Sequence, residues 1–224
     1  MARFTRIDVA LKLKKSGIVP VFYTPDPEIG KKIIESCYKG GFRVMEFTNR
    51  GDYAHEVFAE INKYAARELP ELVLGIGSVL EEVTAGLYIQ MGANFIVSPM
   101  INPAIAKICN RRKIMWMPGC GSVSEISEAE ELGCEVVKIY PGSQVGGPKF
   151  IAAVKGPMPW SNMMPTGGVE PTEDNLKAWF DAGVYCVGIG SNLITGEIVK
   201  SKNFDKLEQD SRNLLTLLEK IRNK

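Results

Sequence analysis

The chain has 224 residues, with 27 Lys and Arg against 26 Asp and Glu (formal net charge +1), and 45% of it is hydrophobic. That length suits one packed domain, and the near-neutral balance gives no electrostatic reason to expect nucleic acid or an anionic membrane as a partner. Five scattered cysteines without a CxxC pair, and His55 as the sole histidine, argue against a disulfide framework and a zinc site. No apolar run approaches membrane-spanning length and residues 1–8 lack a signal peptide's apolar core, so a cytoplasmic protein is expected.

Short β-branched runs alternate with longer amphipathic stretches. A helix over Asp8–Ser16 comes first. Strands follow at Ile18–Tyr23, Val44–Thr48, Leu72–Ser78, Asn94–Ser98, Ile114–Gly119, Val136–Tyr140, Met163–Thr166 and Val187–Gly190. Helical patterns lie between them, such as Asp26–Lys39 with Ile29, Ile33 and Cys37 on one face, Tyr53–Arg67, and the closing Phe204–Ile221. Arg111-Arg112-Lys113 reads as cations ending a helix that starts near Asn102. Eight strand–helix units predict an α/β fold, a single (β/α)8 TIM barrel over residues 1–224, with the extra N-terminal helix capping the N-terminal face.

A weak repeat supports closure. Gly41, Gly92, Gly133 and Gly183 each precede an apolar strand, at separations of 51, 41 and 50 residues, and each is expected to end a helix in the left-handed conformation. The fifth residues after them are Glu46, Val97, Lys138 and Gly188. Alternate strands fill a barrel in layers, so an acid and an amine are expected to share the same enclosed space. Desolvating either charge costs several kcal/mol, so the pair is either functional or a structural buried ion pair. Strand C-termini, where barrel enzymes keep their active sites, also collect Thr48, Arg50, Gly77-Ser78, Ser98-Pro99, Pro118-Gly119, Tyr140-Pro141, Thr166-Gly167-Gly168 and Gly190-Ser191.

Seven ordered motifs carry a resemblance: Val44-Met45-Glu46-Phe47-Thr48-Asn49-Arg50, Gly75-Ile76-Gly77-Ser78-Val79, Ser98-Pro99, Pro118-Gly119, Lys138-Ile139-Tyr140-Pro141, Pro165-Thr166-Gly167-Gly168-Val169 and Gly188-Ile189-Gly190-Ser191. In these the chain resembles the 2-keto-3-deoxy-6-phosphogluconate (KDPG) / 4-hydroxy-2-oxoglutarate (KHG) aldolase family. The resemblance implies a homotrimeric class I aldolase, a lyase of the Entner–Doudoroff type that needs no metal and no organic cofactor. It would cleave a phosphorylated 2-keto acid to pyruvate and glyceraldehyde 3-phosphate. Lys138 would form the Schiff base and Glu46 would act as general acid/base. Arg50 and Ser78 would surround the substrate carboxylate, with Pro99 and Tyr140 against the pyruvyl group. Thr48 would either orient Glu46 or pack the core.

Gly167, Gly168, Gly190 and Ser191 follow strands 7 and 8, the usual phosphate site of such barrels. Tyr23, Met100, Cys120 and Asn192 depart from the commoner family residues and leave the preferred substrate open. The runner-up is a phosphosugar isomerase or epimerase on the same barrel, with Lys138 and Glu46 moving protons without a covalent intermediate.

Overall fold

The computed structural model describes residues 2–223; Met1 and Lys224, the two ends of the span assigned to the barrel from sequence, lie outside the described residues. Its elements run α1 (Arg6–Ser16), β1 (Ile18–Phe22), α2 (Pro27–Lys39), β2 (Val44–Thr48), α3 (Ala54–Glu68), β3 (Val73–Gly77), α4 (Glu82–Gln90), β4 (Phe95–Ser98) and α5 (Pro103–Arg112). The second half runs β5 (Met115–Cys120), α6 (Val123–Glu131), β6 (Val137–Ile139), α7 (Gly147–Lys155), β7 (Met163–Pro165), α8 (Glu173–Asp181), β8 (Val187–Ile189), α9 (Gly196–Ser201) and α10 (Phe204–Arg222). All strand pairs are parallel, in the order β7-β6-β5-β4-β3-β2-β1-β8. A parallel bridge between Thr166 and Gly188 joins the two ends, so the sheet closes as a (β/α)8 barrel.

Local chemistry explains the boundaries. Asp26 caps α2 by accepting from the amides of Glu28 and Ile29, and Pro27 starts the helix where its missing N–H costs nothing. Thr5 and Asp8 form a reciprocal capping box on α1. The four repeat glycines, Gly41, Gly92, Gly133 and Gly183, all have positive φ, between 86° and 114°, as the turn from helix into strand requires.

Period-two alternation splits the core in two. One apolar cluster lies between the strands and the surrounding helices. The other fills the barrel with Val19, Val44, Val73, Phe95, Val97, Met115, Met117, Val136, Met164 and Cys186. Val9 and Leu13 of α1 join that interior cluster, so α1 plugs the end where the strands begin, as expected from sequence. The Tyr185 hydroxyl donates to the Ala10 carbonyl and pins the plug in place. One face of each strand therefore packs an apolar interior near its N-terminal end and is free to carry chemistry at the other.

Candidate active site

Glu46 lies two residues beyond Val44 on β2, and Lys138 two beyond Val136, so alternation turns both side chains into the barrel. There Lys138 Nζ stands 3.7 Å from Glu46 Oε1, with the two side chains 8% and 1% exposed. The separation makes an ion pair without a hydrogen bond, and both Glu46 oxygens are buried with no hydrogen-bond partner. Room for the carboxylate comes from Gly77, since a Cβ there would lie 1.8 Å from Glu46 Oε1. On its other side, Lys138 Nζ lies 5.2 Å over the Tyr140 ring, which shields it without accepting its proton.

Above this pair opens a cavity of about 600 Å³ at the strand C-termini. Of the residues expected from sequence, Thr48, Arg50, Tyr140, Gly167, Gly168, Gly190 and Ser191 line it. Arg50 Nε donates to Ser78 Oγ at 3.5 Å, and Ser78 holds a left-handed backbone (φ 59°) unusual for a residue with a Cβ. These two side chains therefore stand together, although Ser78 is not part of the cavity wall. Pro99 also lies outside that wall. Its carbonyl occupies the space a Cβ on Gly119 would need, directly beside the strand position paired with Lys138. The Thr48 hydroxyl donates to the Phe22 carbonyl at 3.3 Å, so its hydrogen is spent on β1 rather than on Glu46.

The two glycine turns are fixed from outside. Asn175 Nδ2 and Trp179 Nε1, both on α8, donate to the Gly168 carbonyl at 3.1 and 3.4 Å. Asn192 Nδ2 donates to the Val169 carbonyl at 2.8 Å and ties the turn after β8 to the turn after β7. Asn192, one of the departures noted from sequence, thus has a structural role. Tyr23, a second departure, lines the cavity, with its hydroxyl in the space left by Gly51 (φ 92°).

Two further polar residues stand on the wall: Thr166, from a strand end already read from sequence, and Lys200, which was not singled out there. Thr166 Oγ1 is buried without a partner, beside the empty Cβ position of Gly188. Lys200 reaches the wall from α9. Only Thr166 had a sequence signal, through its Pro165-Thr166-Gly167-Gly168 motif.

The cysteines take no part. Burial pushes the thiols of Cys37, Cys109, Cys120 and Cys186 up to about 12, which leaves them protonated and poorly nucleophilic. Among the described residues no three His, Cys, Asp or Glu side chains gather as a metal site would require.

Fold and site together define a parallel-barrel enzyme with a lysine–carboxylate pair buried below an open, cation-bearing mouth. The chain belongs to the KDPG and KHG aldolase family, whose family model matches residues 9–210. A 2-dehydro-3-deoxy-phosphogluconate aldolase of Treponema pallidum is 32% identical over 206 residues, covering 92% of this chain and 95% of the relative. A KHG/KDPG aldolase of Escherichia coli K12 is 29% identical over 201 residues, covering 89% and 91%. In three dimensions the chain superposes with a TM-score of 0.83 on a KDPG aldolase from Legionella pneumophila, crystallised with pyruvate captured at low pH as a covalent carbinolamine. That match has 25% identity and covers 92% of this chain and 97% of the other.

Proposed function

We propose that this protein cleaves 2-keto-3-deoxy-6-phosphogluconate to pyruvate and glyceraldehyde 3-phosphate through a Schiff base on Lys138, with 4-hydroxy-2-oxoglutarate as a second substrate. The observation that carries the proposal is the buried Lys138–Glu46 contact, 3.7 Å across, with no hydrogen-bonding partner for either carboxylate oxygen. Two desolvated charges in a barrel interior are costly to maintain. Passing a proton from Nζ toward Glu46 neutralises both members at once, and the resulting free amine is the form that attacks a ketone.

Nζ adds to C2 of the keto acid, and Glu46 moves the protons of carbinolamine formation and dehydration. The iminium then draws the electrons of the C3–C4 bond as Glu46 takes the C4 hydroxyl proton. The aldehyde leaves and an enamine of pyruvate remains. Protonation at C3 and hydrolysis return the free lysine. The carbinolamine captured with pyruvate in the Legionella relative supports the first of these steps, addition to the keto carbon.

Arg50, beside Ser78, is suited to a two-pronged grip on the C1 carboxylate, with Tyr140 and Pro99 flanking the pyruvyl group. Gly167, Gly168, Gly190 and Ser191 offer backbone approach and a hydroxyl to the phosphate. Exchanging Arg50 for lysine keeps the charge and removes the fork. The expected result is a KM for the keto acid raised about tenfold with a smaller change in kcat, measured by coupled pyruvate release. The isomerase reading is not favoured, because the matched family and relatives are aldolases. An isomerase would also release no pyruvate from either keto acid.

The assembly we infer is a homotrimer in the cytoplasm. Val83 and Leu87 stand one turn apart on α4 and Leu80 lies just before its N-cap Glu81; they are 76%, 42% and 52% exposed, an apolar patch suited to a second copy of the chain. Five buried free cysteines suit a reducing compartment, and among the described residues no helix is long and apolar enough to cross a membrane. Light scattering is expected to give three times the 24.7 kDa chain mass for the native protein, and the chain mass for Val83→Glu. A native protein at the single-chain mass would refute the trimer, and a trimeric variant would exclude this face.

A further inference from the structure

The active-site cavity has a one-sided charge. Arg50 and Lys200 are the charged residues on its wall, and no Asp or Glu lines it. Arg50 follows β2 and stands beside Ser78, after β3. Lys200 comes from α9, after β8, on the side of the wall that holds Gly190 and Ser191. The two cations therefore approach the cavity from different strands, with β1 between their parent strands in the sheet.

Lys200 is also uncommitted. Glu197 stands three residues before it on the same helix, a spacing at which Glu and Lys commonly pair. No such pair forms. Glu197 instead lines a neighbouring cavity of about 410 Å³ with residues of α10, while Lys200 lines the active-site cavity. No other ion pair or hydrogen bond engages its ammonium among the described residues. Gly196, at the start of α9, adds no bulk to this wall, since a Cβ there would meet nothing within 4 Å.

From this arrangement we propose that Lys200 is a specificity-determining residue, which engages the phosphate at the far end of the substrate and sets the preference for phosphorylated over unphosphorylated keto acids. This rests on the aldolase reading above and extends it. Backbone amides and the Ser191 hydroxyl bind a tetrahedral anion by geometry but bring no full charge. Lys200 supplies that charge on a long, flexible stem, as a point cation that tolerates small changes in substrate length. Arg50 at one place and Lys200 at another match a substrate with an anion at each end.

The test compares the phosphorylated keto acid with its dephosphorylated counterpart, 2-keto-3-deoxygluconate, in native protein, Lys200→Gln and Lys200→Arg. The ratio of their kcat/KM values is expected to fall about tenfold in Lys200→Gln, chiefly through KM for the phosphorylated substrate, and to recover in Lys200→Arg. Inorganic phosphate should inhibit Lys200→Gln more weakly by a similar factor. A ratio unchanged in Lys200→Gln, or one that falls without recovery in Lys200→Arg, would overturn the assignment. If the native protein releases no pyruvate from either substrate, the aldolase reading fails. That outcome is distinct from native turnover with an unaltered ratio, which removes Lys200 alone.

Discussion

Replacing Lys138 by methionine is expected to abolish pyruvate release and borohydride trapping together. Methionine keeps the length and most of the volume of the side chain, so the barrel interior stays filled. What disappears is the nucleophile, and with it the electron sink that makes C–C cleavage possible. Loss of a covalent nucleophile costs roughly 10⁴-fold or more in kcat, because the remaining groups can position substrate but cannot replace the intermediate. Native protein treated with pyruvate and borohydride should carry a reduced pyruvyl adduct on the peptide containing Lys138, and the variant should carry none. An adduct that persists elsewhere in the variant would move the chemistry to another lysine, and turnover without any adduct would rule out the imine.

The barrel and its chemical pair were legible because both follow from periodicity. Alternation in Val44-Met45-Glu46 and Val136-Val137-Lys138 decides which side chains face inward, and the four repeat glycines mark where β2, β4, β6 and β8 begin. β2 runs over the residues expected, Val44–Thr48. β6 ends at Ile139 rather than Tyr140: the Tyr140 amide still donates to the Cys120 carbonyl, but Pro141 has no N–H to continue the ladder.

Other features depend on atoms that no local pattern encodes. The bond from Thr48 to Phe22 depends on a hydroxyl rotor, and either partner was compatible with its position on the strand. The value of Gly77 lies in an absent Cβ that would overlap a carboxylate from the neighbouring strand. Lys200 sits on a six-residue helix too short to show periodicity, so which wall it faces is fixed only by how α9 packs.

Glu46→Gln separates a proton carrier from a mere counter-ion. The carboxamide nearly matches the carboxylate in shape, so it fits the space left by Gly77, but it cannot accept and return a proton. If Glu46 carries protons, kcat should fall about 10²–10⁴-fold, while slow trapping of the pyruvate imine persists because Lys138 is still present. If Glu46 only balances the lysine charge, kcat should stay near native.

Stability supplies an independent reading of the same pair. Each single substitution, Glu46→Gln or Lys138→Met, leaves one buried group without its partner. Such a loss costs roughly 3–5 kcal/mol, or roughly 6–20 °C in Tm for a chain of this size. The double variant has no charge left to desolvate, and its melting temperature should return to the native value or exceed it although its turnover stays abolished. A double variant less stable than both singles would mean the ion pair is there to hold the barrel together. Recovery of stability without recovery of activity would show that the fold tolerates these two charges for the sake of the reaction they perform.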